Sequence, residues 1–181
     1  MKLVEDTRKS AFNRNNYSVT RFVYDFKNGM LLHTWYDKKD SKVSNKEWLE
    51  KVTPAFQRAN NKWTKKQKLL FIENLLKGVQ TELLFFRFNE DEDALLLDGL
   101  QRTTAIIDFF EGKIKPFGYS YEKLKGHMRL FGTNLEIKIY TFKDMEEVVK
   151  FYIEMNEGIT HSKADIQKAK DWLLDEYGVK V

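Results

Sequence analysis

Apolar positions along the chain follow two rhythms. Tyr17–Phe26 and Met30–Tyr36 are short runs of aromatic and β-branched residues joined through Lys27-Asn28-Gly29. Asn-Gly accepts positive φ at both positions, so the pair predicts a β-hairpin. Leu83–Phe88, broken only by Arg87, and Ala94–Leu97 are continuous apolar runs and predict buried strands. Leu135, Ile137 and Ile139 alternate with Glu136, Lys138 and Tyr140, which predicts a half-buried strand. Elsewhere the spacing is helical. Leu69, Ile72 and Leu76 (with Phe71 and Leu75) form one apolar face, and Thr103, Ile106, Ile107 and Phe110 another. Met145, Val148, Val149 and Tyr152, then Ile166, Ala169, Leu173 and Tyr177, repeat the pattern.

Start and stop signals frame these elements. Ser44-Asn45-Lys46-Glu47 and Thr64-Lys65-Lys66-Gln67 have the form of capping boxes, in which residues three apart satisfy each other's amides. The first opens a short helix to about Lys51, the second a helix to about Lys77 with Gly78 as its stop. Asp144–Met155 reads as a helix broken at Asn156-Glu157-Gly158, and Ser162 caps a last helix to about Tyr177. Thr53–Arg58 reads as extended because the residue before Pro54 avoids the helical region; Phe56 would anchor it while Gln57 and Arg58 project. Leu95–Asp98 ends in a sharp turn on Gly99 and enters a helix running to about Glu111. Lys113–Thr133 is irregular, with a short helix at Tyr121–Lys125.

Helices and strands intersperse without regular βαβ alternation, so the fold class is α+β. Residues 1–16 read as a loosely docked arm, and the seam at 37–43 separates an arm-and-hairpin appendage, 1–43, from a main domain, 44–181.

Composition narrows the function classes. A 42% apolar fraction with 14% aromatics belongs to a globular chain, and 181 residues bury a substantial core. With 31 Lys+Arg against 27 Asp+Glu the net charge is +4, compatible with nucleotides or nucleic acid without requiring them. The sequence has no Cys, which removes disulfides and thiolate chemistry and fits a cytoplasmic protein. The three histidines, His33, His127 and His161, lack metal-ligand spacing, and no metal site is expected. No long apolar run predicts a membrane span.

The turn Asp98-Gly99-Leu100-Gln101-Arg102-Thr103-Thr104 carries the clearest chemistry. Read blandly, Asp98 is a helix N-cap beside a permissive Gly. Read functionally, the unpaired first amides of the helix favour an anion, and Arg102 adds a planar fork suited to phosphate. Arg102 in a first turn opposes the helix dipole unless an anion is present, and two Thr hydroxyls come directly after it. Arg58 is either a surface loop residue or the opposing jaw of the same clamp. Lys62, Lys65, Lys66 and Lys68 form a basic helix start near Trp63, either a solvated face or a nucleic-acid surface on which Trp63 stacks a base. The acidic turn Glu90-Asp91-Glu92-Asp93 lacks calcium-loop spacing and reads as solvated, and His161 beside Ser162 reads as incidental.

Taken in order, Pro54-x-Phe56-Gln57-Arg58, Trp63 before a capped helix, Leu97-Asp98-Gly99-Leu100-Gln101-Arg102-Thr103-Thr104 and Asn156-x-Gly158 form a specific set. Over residues 44–177 this set resembles the N-terminal domain of GmrSD-type, modification-dependent restriction endonucleases, in the ParB/sulfiredoxin-like superfamily. The resemblance implies an α+β fold with a phosphate turn that binds a nucleoside triphosphate, with Mg²⁺, or nucleic-acid phosphate. By position it assigns Asp98, Gly99, Gln101 and Arg102 to that turn, with Asp98 and Arg102 in any catalysis; the Thr103 and Thr104 hydroxyls that follow are read beside them as phosphate-binding. Arg58 becomes the opposing clamp and Asn156 a rim residue.

Leu100 stands where the family's Asp-Gly-Gln-Gln-Arg turn has its first Gln, removing an amide that would orient nucleotide or water. No His-Asn-His nuclease domain is expected within these residues, and no Cys supports sulfiredoxin chemistry. The resemblance therefore implies a nucleotide-binding module, with weak NTPase activity as an open option, linked to DNA restriction or phage–host conflict in a prokaryote or its phage. A separate nuclease subunit is the implied protein partner. The alternatives are a DNA-binding or DNA-nicking ParB-like protein using Lys62–Lys68, and a regulatory or inhibitor protein that keeps the fold without its chemistry.

Overall fold

The computed structural model describes residues 17–22, 44–88, 94–124, 134–157 and 162–181. Within them the strands are β1 (Tyr17–Phe22), β2 (Glu82–Arg87), β3 (Leu95–Asp98) and β4 (Asn134–Thr141). The helices are α1 (Asn45–Val52), α2 (Lys65–Leu76), α3 (Leu100–Phe110), α4 (Tyr121–Leu124), α5 (Met145–Asn156) and α6 (Lys163–Tyr177), with a 3₁₀ turn at Pro116–Gly118. The strands form one mixed sheet in the order β1-β4-β2-β3. β2 pairs antiparallel with β3 and parallel with β4, and β1 pairs antiparallel with β4. The fold is α+β.

β2 lies inside the sheet and is covered on both faces, which is why its sequence is continuously apolar. Leu83 and Phe85 join Leu96 and Leu135, Ile137 and Ile139 in a core with α1, α2 and α3. On the opposite face Leu84 and Phe86 join Leu97, Tyr140 and Phe142 in a core with Phe56, α5 and α6. Side chains alternate across the pleat, so one strand feeds both cores. Tyr140 is buried there beside Phe151, so β4 is covered on both faces at its C-terminal end rather than half-exposed.

The helix boundaries reflect local chemistry. Ser44 with Glu47, Thr64 with Gln67, and Ser162 with Asp165 each form a complete capping box, and Asp144 caps α5 through the Glu147 amide. Gly178 takes the left-handed conformation that ends α6, and Tyr177 remains exposed rather than inward. Thr53 is extended, as Pro54 requires, but Pro54–Gln57 closes into a turn through the Gln57 amide and the Pro54 carbonyl. β1 comes from the predicted hairpin and forms one edge of the sheet; the hairpin's turn and its expected return strand lie outside the described residues. The acidic turn at 89–93 and His161 also lie outside them.

Candidate functional site

The site is built where β3 hands over to α3. Leu84 pairs with Asp98 but Phe85 with Leu96, so Leu97 is the extra residue of a β-bulge. Such a bulge twists the strand and re-aims the residues beyond it. Gly99 then takes φ 107°, and a Cβ there would sit 2.5 Å from Leu83 Cδ2 and 3.4 Å from Arg102 Nε. Only glycine combines that backbone with so close an approach. Gly99, not Asp98, is the N-cap of α3, and among the described residues no side chain caps the helix. Asp98 instead pairs its carboxylate with Arg102 one helical turn on. The first-turn amides of α3 are therefore not covered by a capping side chain.

The facing wall is the segment between α1 and α2. Gln57 does not project, as an extended segment would require; it is buried, and its Nε2 donates to the Leu96 and Leu97 carbonyls at 2.9 and 2.7 Å. The bulge frees those carbonyls from regular pairing, and a buried amide satisfies them. Gln101, 1% exposed, ties the same segment to α3: its Oε1 accepts from the Trp63 amide at 3.1 Å and its Nε2 donates to the Ala59 carbonyl at 3.3 Å. Thr104 Oγ1 adds a contact to Asn60 Oδ1 at 2.8 Å and also bonds the Leu100 carbonyl.

Between these walls lies an open cleft of about 370 Å³ lined by Arg58, Trp63, Asp98, Gly99, Gln101 and Arg102. Segments far apart in sequence thus bring two guanidinium groups and a helix start to one cavity. Arg102 is oriented by Asp98, and among the described residues no carboxylate is ion-paired with Arg58. Trp63 packs its ring on Phe71 with centroids 5.4 Å apart, which fixes one side of the opening. The set is suited to an anion that accepts from two planar forks and from backbone amides.

α5 and α6 stand behind the Arg58 wall. The Tyr152 hydroxyl is pushed up to about 12 by burial, with the neighbouring Arg58 charge opposing and Asp98 adding to the rise. It stays protonated at neutral pH. Lys62 Nζ is 2.9 Å from Asp165 Oδ1, and Lys168 Nζ donates to the Gln57 carbonyl. Burial alone would raise the Asp165 carboxyl, but hydrogen bonds from Lys62 and Ser162 hold it below the usual value. None of these supports leaves a usable pattern in the sequence, because each joins the cleft wall to a distant helix.

Several expected site residues sit elsewhere. Thr103 is fully buried on the inward stripe of α3 and does not line the cleft. Asn156 is buried, not at a rim, with its Nδ2 donating to the Tyr152 carbonyl at 2.8 Å. It forms the last turn of α5. Leu100 packs in the core at 3% exposure and is not among the residues that line the cleft. Lys62 is held by Asp165, and Lys68 by Asp108 at 2.8 Å, which splits the predicted basic face. Lys65 and Lys66 remain exposed. Among the described residues no group of acidic and imidazole side chains could hold a metal ion, and no helix is long and apolar enough to cross a membrane.

The family model described as "GmrSD restriction endonuclease, N-terminal domain" matches residues 32–176, which include every residue lining the cleft. No curated protein and no solved structure gives a significant match. The chain belongs to the family of GmrSD restriction endonuclease N-terminal domains.

Proposed function

We propose that this chain serves a restriction system as its nucleotide-binding module, and that the cleft at the start of α3 holds the polyphosphate of a nucleoside triphosphate. The observation that carries the reading is the convergence of Arg58 and Arg102 on one cavity with the uncapped first turn of α3. Each charge-assisted hydrogen bond there contributes about 1.5–3 kcal/mol. Trp63 at the opening supplies a flat face for the base. Mg²⁺ would be held chiefly by phosphate oxygens and water, as that ion prefers. Asp98 is the one carboxylate lining the cleft among the described residues, and its partner is Arg102. Binding therefore has more support than fast hydrolysis.

Titration calorimetry with ATP, GTP, CTP and UTP, each with and without Mg²⁺, tests this. At least one triphosphate binds the parent, and Arg102→Ala or Arg58→Ala weakens it ten-fold or more with the fold intact. Absence of binding by every triphosphate, or unchanged affinity in Arg102→Ala, overturns it. DNA cleavage would be carried out by a nuclease module acting with this one. A nucleic-acid role for Lys62 and Lys68 loses support because both are already tied to carboxylates.

A further inference from the structure

On the flank of α2, away from the cleft lining, the 3₁₀ turn holds an aromatic residue in an unusual posture. Phe117 has φ 53° and ψ 20°, the sole non-glycine with positive φ among the described residues. Bulky side chains disfavour that conformation, and it persists only where surroundings impose it. Here three hydrogen bonds do so. The Phe117 amide donates to Glu73 Oε1 at 3.0 Å, Gly118 to the Lys115 carbonyl at 3.0 Å, and Tyr119 to the Pro116 carbonyl at 2.9 Å. The turn does not use its strain to bury the ring. Phe117 is 44% exposed and Tyr119 51% exposed.

The surroundings are basic. Lys66, Leu70, Glu73 and Lys77 succeed one another at helical spacing along the α2 face that meets the turn. Leu70 is 54% exposed, and Lys77 Nζ lies 5.5 Å from the Phe117 ring centroid. Glu73 accepts the Phe117 amide, and Lys66, Lys77 and Lys115 are exposed. The surface thus combines two presented aromatic rings with separated cations.

We propose that this face binds single-stranded nucleic acid, with bases stacking on Phe117 and Tyr119 and phosphates meeting Lys66, Lys77 and Lys115. Exposed rings interleaved with lysines match a polyanion whose repeating unit carries both a charge and a flat apolar face. A duplex hides its base faces and would leave both rings unused. An acidic peptide would engage the lysines and give the rings no stacking partner.

Fluorescence polarisation with a labelled oligothymidylate, the matching duplex and polyglutamate as competitor tests the proposal. The single strand binds more tightly than the duplex, with affinity falling steeply as salt rises. Phe117→Gly removes the ring but suits the positive φ, so it preserves the turn, and it weakens the single strand about ten-fold. Tyr119→Ala does the same to a similar degree, and Arg102→Ala leaves this binding unchanged. Equal binding of duplex and single strand, parental affinity in Phe117→Gly and Tyr119→Ala, loss of binding in Arg102→Ala, or equal competition by polyglutamate would each overturn it.

Discussion

The Gln101 carboxamide spans the cleft floor, accepting from the Trp63 amide at 3.1 Å and reaching the Ala59 carbonyl at 3.3 Å. Its place in the Asp-Gly-x-Gln-Arg turn suggests a ligand contact, but its burial makes it the strut that sets the spacing of the two walls.

Gln101→Ala removes two part-buried hydrogen bonds, from the Trp63 amide and to the Ala59 carbonyl, at about 0.5–1.5 kcal/mol each. Urea denaturation should show that loss, and triphosphate affinity should fall although both arginines remain. Parental stability in this variant would show the strut to be dispensable.

Gly99→Ala is costly in two ways. The backbone is at φ 107°, and the added methyl would lie 2.5 Å from Leu83 Cδ2. The Leu83 end can shift, but the φ cost stays, so a destabilisation of roughly 2 kcal/mol or more is expected. A shift in urea midpoint with an unchanged slope would identify it as a native-state effect.

These two positions show what the sequence can and cannot disclose. Gly99 is legible because a strand, an Asp-Gly turn and a helix start adjoin in the chain. The capping boxes at Ser44 and Thr64 and the cap at Ser162 are legible for the same reason. Gln57 is not, because its role depends on carbonyls that a bulge in another segment leaves free. The lysines at and just before the start of α2 look equivalent along the chain, and only the approach of α6 and α3 separates Lys62 and Lys68 from Lys65 and Lys66. Thr103 is misread from the motif because the phase of α3 relative to the cleft is set by packing.

The Lys62–Asp165 pair predicts a pH signature. The Asp165 carboxyl is lowered from 3.8 in the folded chain, so it binds fewer protons there than when unfolded. Its stabilisation is full above the unfolded value and is lost as pH falls through the lowered folded value. The stability difference between the parent and Asp165→Asn should therefore be constant near neutrality and shrink below about pH 4. Denaturation series at stepped pH measure it, and a difference that persists undiminished at pH 2 would rule the pair out as its source.

Asp108 anchors a second partly buried pair. Lys68 and Asp108 are each 16% exposed at the side chain, and Lys113 Nζ is 3.7 Å from the other Asp108 oxygen. Asp108→Ala leaves two ammonium groups without their shared carboxylate and should cost about 1–3 kcal/mol. Lys68→Met, which keeps the apolar stem, should cost less. Thermal melts of both variants decide the order.

The side chain of Gln57 carries a consequence for solubility. β3 is an edge of the sheet among the described strands, and its Leu95-Leu96-Leu97 run is the kind of apolar edge that recruits strands from other molecules. By occupying the Leu96 and Leu97 carbonyls, the Gln57 amide denies that edge to a neighbouring chain. A residue that shapes the cleft from within thereby guards the molecule against polymerising at its own sheet margin.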